Sequence, residues 1–378
     1  MSARLAWWTP VFGEAEGRGV RDVLASGFVN DGPVTAAFER RLADMLDVPY
    51  AIATTSGTSA LFLALAALGI GPGDEVIVPD VTFVATANAV RLTGATPVLA
   101  DVDPTSCCLE PRAAERVLTP RTRAIVPVHV SGRPGPLDAL LTFASHQGLF
   151  VVEDAAEALG SRLGERALGT IGDVGAFSFT ANKLITTGQG GLVVTRNAAL
   201  ARRLRMLKDQ GRVERGTGGP DAHPTVGYNF KFTDLQAAVG LAQLDDLDRR
   251  LAHRRALLAM YRRHLRGVPG VRVIPVDVEA GVCPLWVDAW VDGRDDLHHW
   301  LLARGIETRP YWRPVHTQPP YRAADERFPV ATSTCAKTLW LPSSLTMDEA
   351  AVARVCAEIA EWSGSRRAVA SDPGVAVA

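Results

Sequence analysis

One lysine in this chain of 378 residues stands where an amine, rather than a surface cation, is needed. Only four lysines (Lys183, Lys208, Lys231 and Lys337) occur among 40 basic residues. Lys183 lies in the run Phe177-Ser178-Phe179-Thr180-Ala181-Asn182-Lys183-Leu184-Ile185, between two apolar, strand-like stretches. Arginine neither forms an imine nor gives up its proton near neutral pH, whereas a desolvated lysine does both. Lys183 is therefore the candidate attachment point for an aldehyde cofactor.

Two further segments carry complementary chemistry. Thr54-Thr55-Ser56-Gly57-Thr58-Ser59 follows a strand-like run and opens an apolar helix. Such a turn offers free amides, hydroxyls and the positive end of a helix dipole to a phosphate, although the same residues also make an ordinary N-cap. Residues 150–157 (FVVEDAAE) form an apolar strand that ends in acids, the end at which parallel sheets bind ligands. Alone, those acids would equally suit a helix N-terminus. If buried, Asp154 needs a cationic partner, and a pyridinium nitrogen is one. Phosphate cradle, acid and amine together are the three anchors of pyridoxal 5′-phosphate (PLP). Phe83, after another strand-like run, is placed to stack on its ring, though alone it reads as a core aromatic. No G-x-G-x-x-G follows a strand and no G-x-x-x-x-G-K-[ST] occurs, so dinucleotide and nucleoside-triphosphate loops are not indicated.

The elements that must position these residues follow from periodicity. Apolar runs at 50–53, 75–78, 96–100, 124–128, 150–152, 176–179 and 192–195 alternate with helical patterns at 59–68, 111–117 and 137–147. That rhythm predicts an α/β fold with a mostly parallel seven-stranded sheet. The Lys183 loop joins the last two runs without a helix, so an antiparallel pairing is expected there. Helical patterns follow at 200–207 and 234–265. Strands at 271–274 and 285–291 and helices at 295–304 and 347–362 then suggest a smaller α+β domain. The expected organisation is a large PLP-binding domain with an N-terminal arm at 1–250, a small C-terminal domain at 251–363 and a flexible tail at 364–378.

Composition narrows the class. A net charge of −1 and a pI near 6.7, with no polybasic run, argue against nucleic acid or an anionic membrane as the main partner. The five cysteines lack any C-x-x-C pairing, which fits reduced thiols rather than a disulfide framework or a metal site. No apolar stretch is long enough for a bilayer and the start lacks a signal-peptide core. A cytoplasmic enzyme is expected.

Longer stretches carry a resemblance. Residues 73–90 (GDEVIVPDVTFVATANAV), 151–161 (VVEDAAEALGS), 177–195 (FSFTANKLITTGQGGLVVT), 226–244 (VGYNFKFTDLQAAVGLAQL) and 306–321 (IETRPYWRPVHTQPPY) occur in that order. With them, the chain from about residue 11 to 362 resembles the DegT/StrS-type sugar aminotransferases, PLP enzymes of fold type I. Within that family it is most like the GDP-perosamine synthases and related 4-amino sugar synthases. The resemblance implies that Lys183 binds the aldehyde and carries protons and that Asp154 pairs with the ring nitrogen. It also implies that the amides of Gly57 and Thr58 and the Ser178 hydroxyl grip the phosphate, that Phe83 stacks, and that Glu157 lies near the phenolic oxygen. Asn229 would reach the phosphate from a neighbouring subunit, making the active unit a homodimer. His316 would approach the sugar, and Arg313 and Lys231 the diphosphate; without the family, these three read as loop or surface residues.

The implied reaction moves an amino group from an amino acid, glutamate in most relatives, to a nucleotide-linked keto-sugar at C4 of a 4-keto-6-deoxyhexose. Amination of a C3 keto-sugar or a keto-cyclitol is also compatible with the cofactor motifs, whereas retention of Lys183, Asp154, Ser178 and Asn229 together argues against an inactive regulatory homologue. Lysine rather than histidine at 183 argues against the family's dehydratases. Lys231, Asp234 and Ser131 depart from the commoner Arg, Asn and aromatic residues, which bears on substrate identity and leaves the cofactor set intact.

Overall fold

The computed structural model describes residues 4–213 and 221–371. The large sheet is built from β1 (Tyr50–Thr54), β2 (Glu75–Pro79), β3 (Thr96–Ala100), β4 (Thr122–Ile125) and β5 (Phe150–Asp154). After a short hairpin, β6 (Arg162–Leu163) and β7 (Arg166–Ala167), come β8 (Val174–Ser178) and β9 (Gly191–Thr195). The seven strands lie in the order β1-β9-β8-β5-β4-β2-β3. All pairings are parallel except those of β9, which runs antiparallel to both β1 and β8. The reason is the Lys183 loop, which carries no crossover helix and so can only turn the chain back. The antiparallel pairing expected there is thus present, and β9 makes a second one with β1.

Helices cover both faces. α1 (Glu14–Ser26) and α2 (Pro33–Leu46) precede the sheet, and α3 (Gly57–Ala67), α4 (Ala85–Leu92), α5 (Pro111–Val117) and α6 (Leu137–Gln147) connect its strands. α3 (GTSALFLALAA) is apolar all round and almost wholly buried, as a helix sandwiched between layers must be. On the opposite face, Ile77, Ile125 and Val151 of the sheet pack against Ala113 and Ala114 of α5 and Leu140 and Ala144 of α6. After α7 (Ala198–Lys208), the expected long helix is two, α8 (Asp234–Asp245) and α9 (Leu247–His264), interrupted at Asp246, whose φ of −100° and ψ of 6° leave the helical region.

A second, antiparallel sheet contains β10 (Val271–Val273), β11 (Val287–Val291), β12 (Arg309–Pro310) and β13 (Thr338–Leu341) in the order β10-β11-β13-β12. With α10 (Arg294–Ala303), α11 (Pro329–Lys337) and α12 (Glu349–Ser371) it completes the described chain. Its core joins Leu257 and Tyr261 of α9 to Leu297, Leu301, Val352 and Ile359. The N-terminal arm docks on this sheet: Leu5 bridges Ile306, and the Ser343 amide donates to the Trp7 carbonyl at 2.9 Å. The tail expected from residue 364 begins instead as helix, because α12 continues through Gly364 to Ser371. Arg366 helps hold it there, over the Trp362 ring and donating to the Asp292 carbonyl at 2.6 Å. Residues 372–378 lie outside the described part. Among the described residues, no helix is long and apolar enough to cross a membrane.

Topology gathers the chemistry. β1 and β8 both run opposite to β9, and β8 is parallel to β5, so all three end at one edge of the sheet. Register tightens this: Gly191 faces Thr54 on one side and Ser178 on the other, and Ala176 faces Asp154.

Candidate active site

The phosphate cradle forms where β1 meets α3. Ser56 caps the helix, its Oγ accepting from the Ser59 amide at 3.1 Å while Ser59 Oγ accepts from the Ser56 amide at 2.9 Å. The Gly57 and Thr58 amides, in the first turn, have no intrahelical acceptor. A Cβ on Gly57 would lie 2.8 Å from Ser178 Cβ and 3.1 Å from its Oγ. Any side chain there would therefore close the gap between the helix end and the Ser178 hydroxyl.

Asp154 ends β5 and is buried. Its Oδ2 accepts from Thr86 Oγ1 at 2.8 Å and its Oδ1 from the Ala156 amide at 3.1 Å. Burial pushes this carboxyl above the usual range, against the lowering effect of Thr86, Ala156 and the Lys183 charge. A desolvated carboxylate held by neutral donors gains most from a cation at its open side. Lys183 Nζ lies 3.4 Å from Glu157 Oε1. Glu157 is fixed in turn by Trp286 Nε1 at 3.1 Å and by the Ser131 amide at 2.9 Å.

Gly57, Phe83, Asp154, Ser178 and Lys183 line one cavity of about 410 Å³. Phe83 is 53% exposed, a large fraction for a phenyl ring among buried strand ends. The opposing wall is aromatic, made by Trp7, Trp286, Trp312 and Trp340, with Arg309 among them. PLP fits these residues: an anion cradle kept open by a glycine, a buried acid hydrogen-bonded only by neutral donors among the described residues, an open aromatic face and a reachable amine.

The DegT/DnrJ/EryC1/StrS aminotransferase family matches residues 10–360. This chain belongs to that family. A GDP-perosamine synthase from Caulobacter vibrioides is 40% identical over 338 residues, 87% of this chain and 90% of that protein. Among solved structures, S. venezuelae DesV in complex with a ketimine intermediate superposes with a TM-score of 0.89 at 36% identity, covering 96% of this chain and 99% of that one. DesI, crystallised with its TDP-sugar product, gives 0.89 at 32% identity, covering 98% and 96%.

Four of the expected site residues do not line this cavity within one chain, and one of them, Asn229, is expected to serve a neighbouring subunit. Asn229 is exposed on a stretch bridged to Asp209. Lys231 Nζ donates to Asp209 Oδ1 at 2.6 Å rather than facing a ligand. Arg313 is exposed at a second cavity of about 250 Å³ that also borders Phe83. His316 is the clearest correction, for it is fully buried and faces no open space. Its amide and Nδ1 meet Asp80 at 2.7 and 2.6 Å, Nε2 lies 3.1 Å from Asp325, and the ring stacks on Phe328. Both nitrogens are engaged, so in this chain the histidine ties the loop after β12 to the end of β2.

Two departures from the family pattern prove to be structural. Asp234 is buried, and it accepts from the amides of Gly32 (2.9 Å), Val34 (3.1 Å) and Thr35 (2.8 Å), capping α2 from a distant part of the chain. Asp234→Ala should cost about 2–3 kcal/mol, the range for charge-assisted hydrogen bonds left unmade. Chemical denaturation would show this, while the Michaelis constants of the folded fraction stay unchanged. Ser131 takes a φ of 50° that aims its amide at Glu157, and its hydroxyl donates to Asp288 Oδ1 at 3.0 Å.

Sequence reading missed the aromatic wall, Arg309 and Thr86. Only Thr86 left a local trace, four residues after Thr82, whose hydroxyl lies 2.8 Å away.

Gly57→Val tests the cradle. The larger side chain should push the start of α3 away from Ser178 and weaken PLP retention by at least about tenfold, the scale of one lost charge-assisted contact, in variant protein whose circular dichroism matches wild type. Equilibrium dialysis measures this directly, and unaltered retention would move the phosphate elsewhere.

Proposed function

We propose that this PLP-dependent aminotransferase carries an amino group from glutamate to C4 of a nucleotide-linked 4-keto-6-deoxyhexose, working as a cytoplasmic homodimer. The observation that carries the reading is the single cavity that unites the Lys183 amine, the buried Asp154 carboxylate and the Gly57–Ser178 cradle, facing a wall of indoles. The cavity leaves room for a second, bulkier reactant, and the half-buried Trp312 ring offers an apolar face to a sugar.

Bound PLP supplies an electron sink for the carbanion formed on the reacting carbon. The chain's own residues do the rest. The amides of Gly57 and Thr58 and the Ser178 hydroxyl hold the phosphate. Asp154 keeps a proton on the ring nitrogen, and Phe83 covers one ring face. Lys183 Nζ takes the proton from the donor's α-carbon and, in the second half-reaction, serves as the proton carrier at the sugar carbon. Glu157, 3.4 Å away, orients that amine.

The dimer reading gives Asn229 its task. Its exposure, together with exposed Leu24 (57%) near the end of α1 and Phe28 (54%) just after it, supports a surface that a second copy covers. Likeness to a GDP-perosamine synthase supports a GDP-linked substrate, while the TDP-sugar in DesI supports testing the thymidine series. The deciding experiment is a panel of GDP- and dTDP-linked 4-keto-6-deoxyhexoses, their 3-keto isomers and keto-inositols, each with glutamate. Turnover confined to the keto-inositols would defeat the sugar reading, and turnover of only the 3-keto isomers its regiochemistry.

A further inference from the structure

One charge in the cavity has no part in the scheme above. Arg309, on the two-residue edge strand β12, is half-buried and borders both the main cavity and the smaller one beside Phe83. Among the described residues its guanidinium makes no hydrogen bond or ion pair. The two carboxylates that share the cavity are otherwise engaged: Asp154 by Thr86 and Ala156, and Glu157 by Lys183, Trp286 and Ser131. Burial pulls the Arg309 pKa below the usual value, with the Glu157 charge partly opposing this. It nevertheless remains a cation at any working pH.

The guanidinium is also aimed. It sits 5.0 Å from the Trp7 ring centroid and 5.3 Å from that of Trp340. Trp340 faces it directly in the β12–β13 register. Trp7 is pinned through its own backbone, its amide donating to Glu307 Oε2 at 3.3 Å and its carbonyl accepting from Ser343. Two indole faces thus hold a charged fork that lacks an anion. Fixing the fork in advance removes much of the entropy that a flexible arginine loses on binding.

We propose that Arg309, clamped between Trp7 and Trp340, receives the carboxylate of the amino-acid donor. The proposal rests on the amino-transfer reading and deepens it. Both reactants must present their reacting carbon to Lys183. In an amino acid the carboxylate is bonded directly to that carbon, so its receptor has to share the Lys183 cavity, as Arg309 does. In a nucleotide sugar the diphosphate lies across the ring from C4. It therefore falls further out, toward the exposed Arg313 and the second cavity. A planar fork also matches a carboxylate through two parallel N–H···O bonds.

The test uses the PLP-loaded enzyme and separates the two half-reactions. In Arg309→Gln, the glutamate concentration that half-saturates the change in cofactor absorbance should rise on the order of 100-fold. Amination of the keto-sugar by enzyme preloaded with pyridoxamine phosphate should not change. Arg309→Lys should recover part of the loss. A binding readout stands beside these: glutarate, an unreactive dicarboxylate, should perturb wild-type tryptophan fluorescence through the clamp and leave that of Arg309→Gln unmoved. Cofactor uptake by each variant checks that it has folded. Normal glutamate saturation in a variant that takes up PLP would overturn the proposal alone, as would a loss confined to the keto-sugar step, which would assign Arg309 to the diphosphate. Failure of wild type to take up PLP would instead defeat the functional reading beneath it.

Discussion

Lys183→Ala is expected to lower amino transfer by on the order of 10⁴-fold, the upper end of what a positioned proton carrier contributes, while leaving the fold intact. The side chain lies in a loop between β8 and β9, and among the described residues its one hydrogen-bonding partner is Glu157 at 3.4 Å. Removing it exposes no orphaned partner, since Glu157 keeps the Trp286 indole and the Ser131 amide. Circular dichroism and melting should therefore match wild type. Lys183→Arg sharpens the test because it keeps the positive charge beside Glu157 but supplies neither an imine-forming amine nor a removable proton. It should be as inactive as the alanine variant. Borohydride reduction after PLP uptake should attach the cofactor mass to the Lys183 peptide of wild type and to no peptide of either variant. Retained activity in Lys183→Arg, or labelling at another lysine, would remove the residue from the chemistry.

What the sequence reveals depends on how locally each feature is encoded. Asp154 ends an apolar strand and Gly57 and Lys183 follow others within a few residues, so strand periodicity and the flanking residues suffice to place them at one sheet edge. The aromatic wall has no such signature. Trp7 comes from the N-terminal arm, Trp286 from just before β11 and Trp340 from β13, and only the docking of the arm on the small sheet brings them together. Arg309 belongs to a strand of two residues, too short for any period. His316 shows the converse error. Its motif is in the expected place, but the buried Asp80 carboxylate, more than two hundred residues away in sequence, claims its ring. Asp234 misleads in the same way, since a residue that looks like a substrate determinant turns out to cap α2. The break between α8 and α9 is invisible to periodicity because the leucines keep helical spacing through the interruption at Asp246.

Asp154→Asn should slow transfer by about 10²–10³-fold, the usual cost of one preorganised electrostatic contact to developing charge, and it should also make the cofactor-free protein more stable at neutral pH. The second effect follows from the direction of the Asp154 shift. Burial raises its folded-state pKa above the ordinary value of 3.8, so the folded chain holds this proton to higher pH than the unfolded chain does. Ionising the carboxyl then costs stability. The cost is absent below the ordinary value, grows as pH rises toward the raised one, and is fully present above it. Asparagine never pays it. The amide also fits the site, because the Thr82 and Thr86 hydroxyls share a hydrogen bond in which either can donate. That pair can reverse and let Thr86 accept from the new N–H. PLP changes the balance: its ring cation pairs with the carboxylate of wild type and removes the penalty, but finds no charge in the variant. Melting curves at pH 7 should thus show the variant above wild type without PLP, and a larger rise on adding PLP in wild type than in the variant. Below the ordinary Asp value the two cofactor-free proteins should converge. An equal rise in both proteins with PLP, or normal transfer by the variant, would separate Asp154 from the ring nitrogen, leaving its burial at the cavity wall as a matter of packing alone.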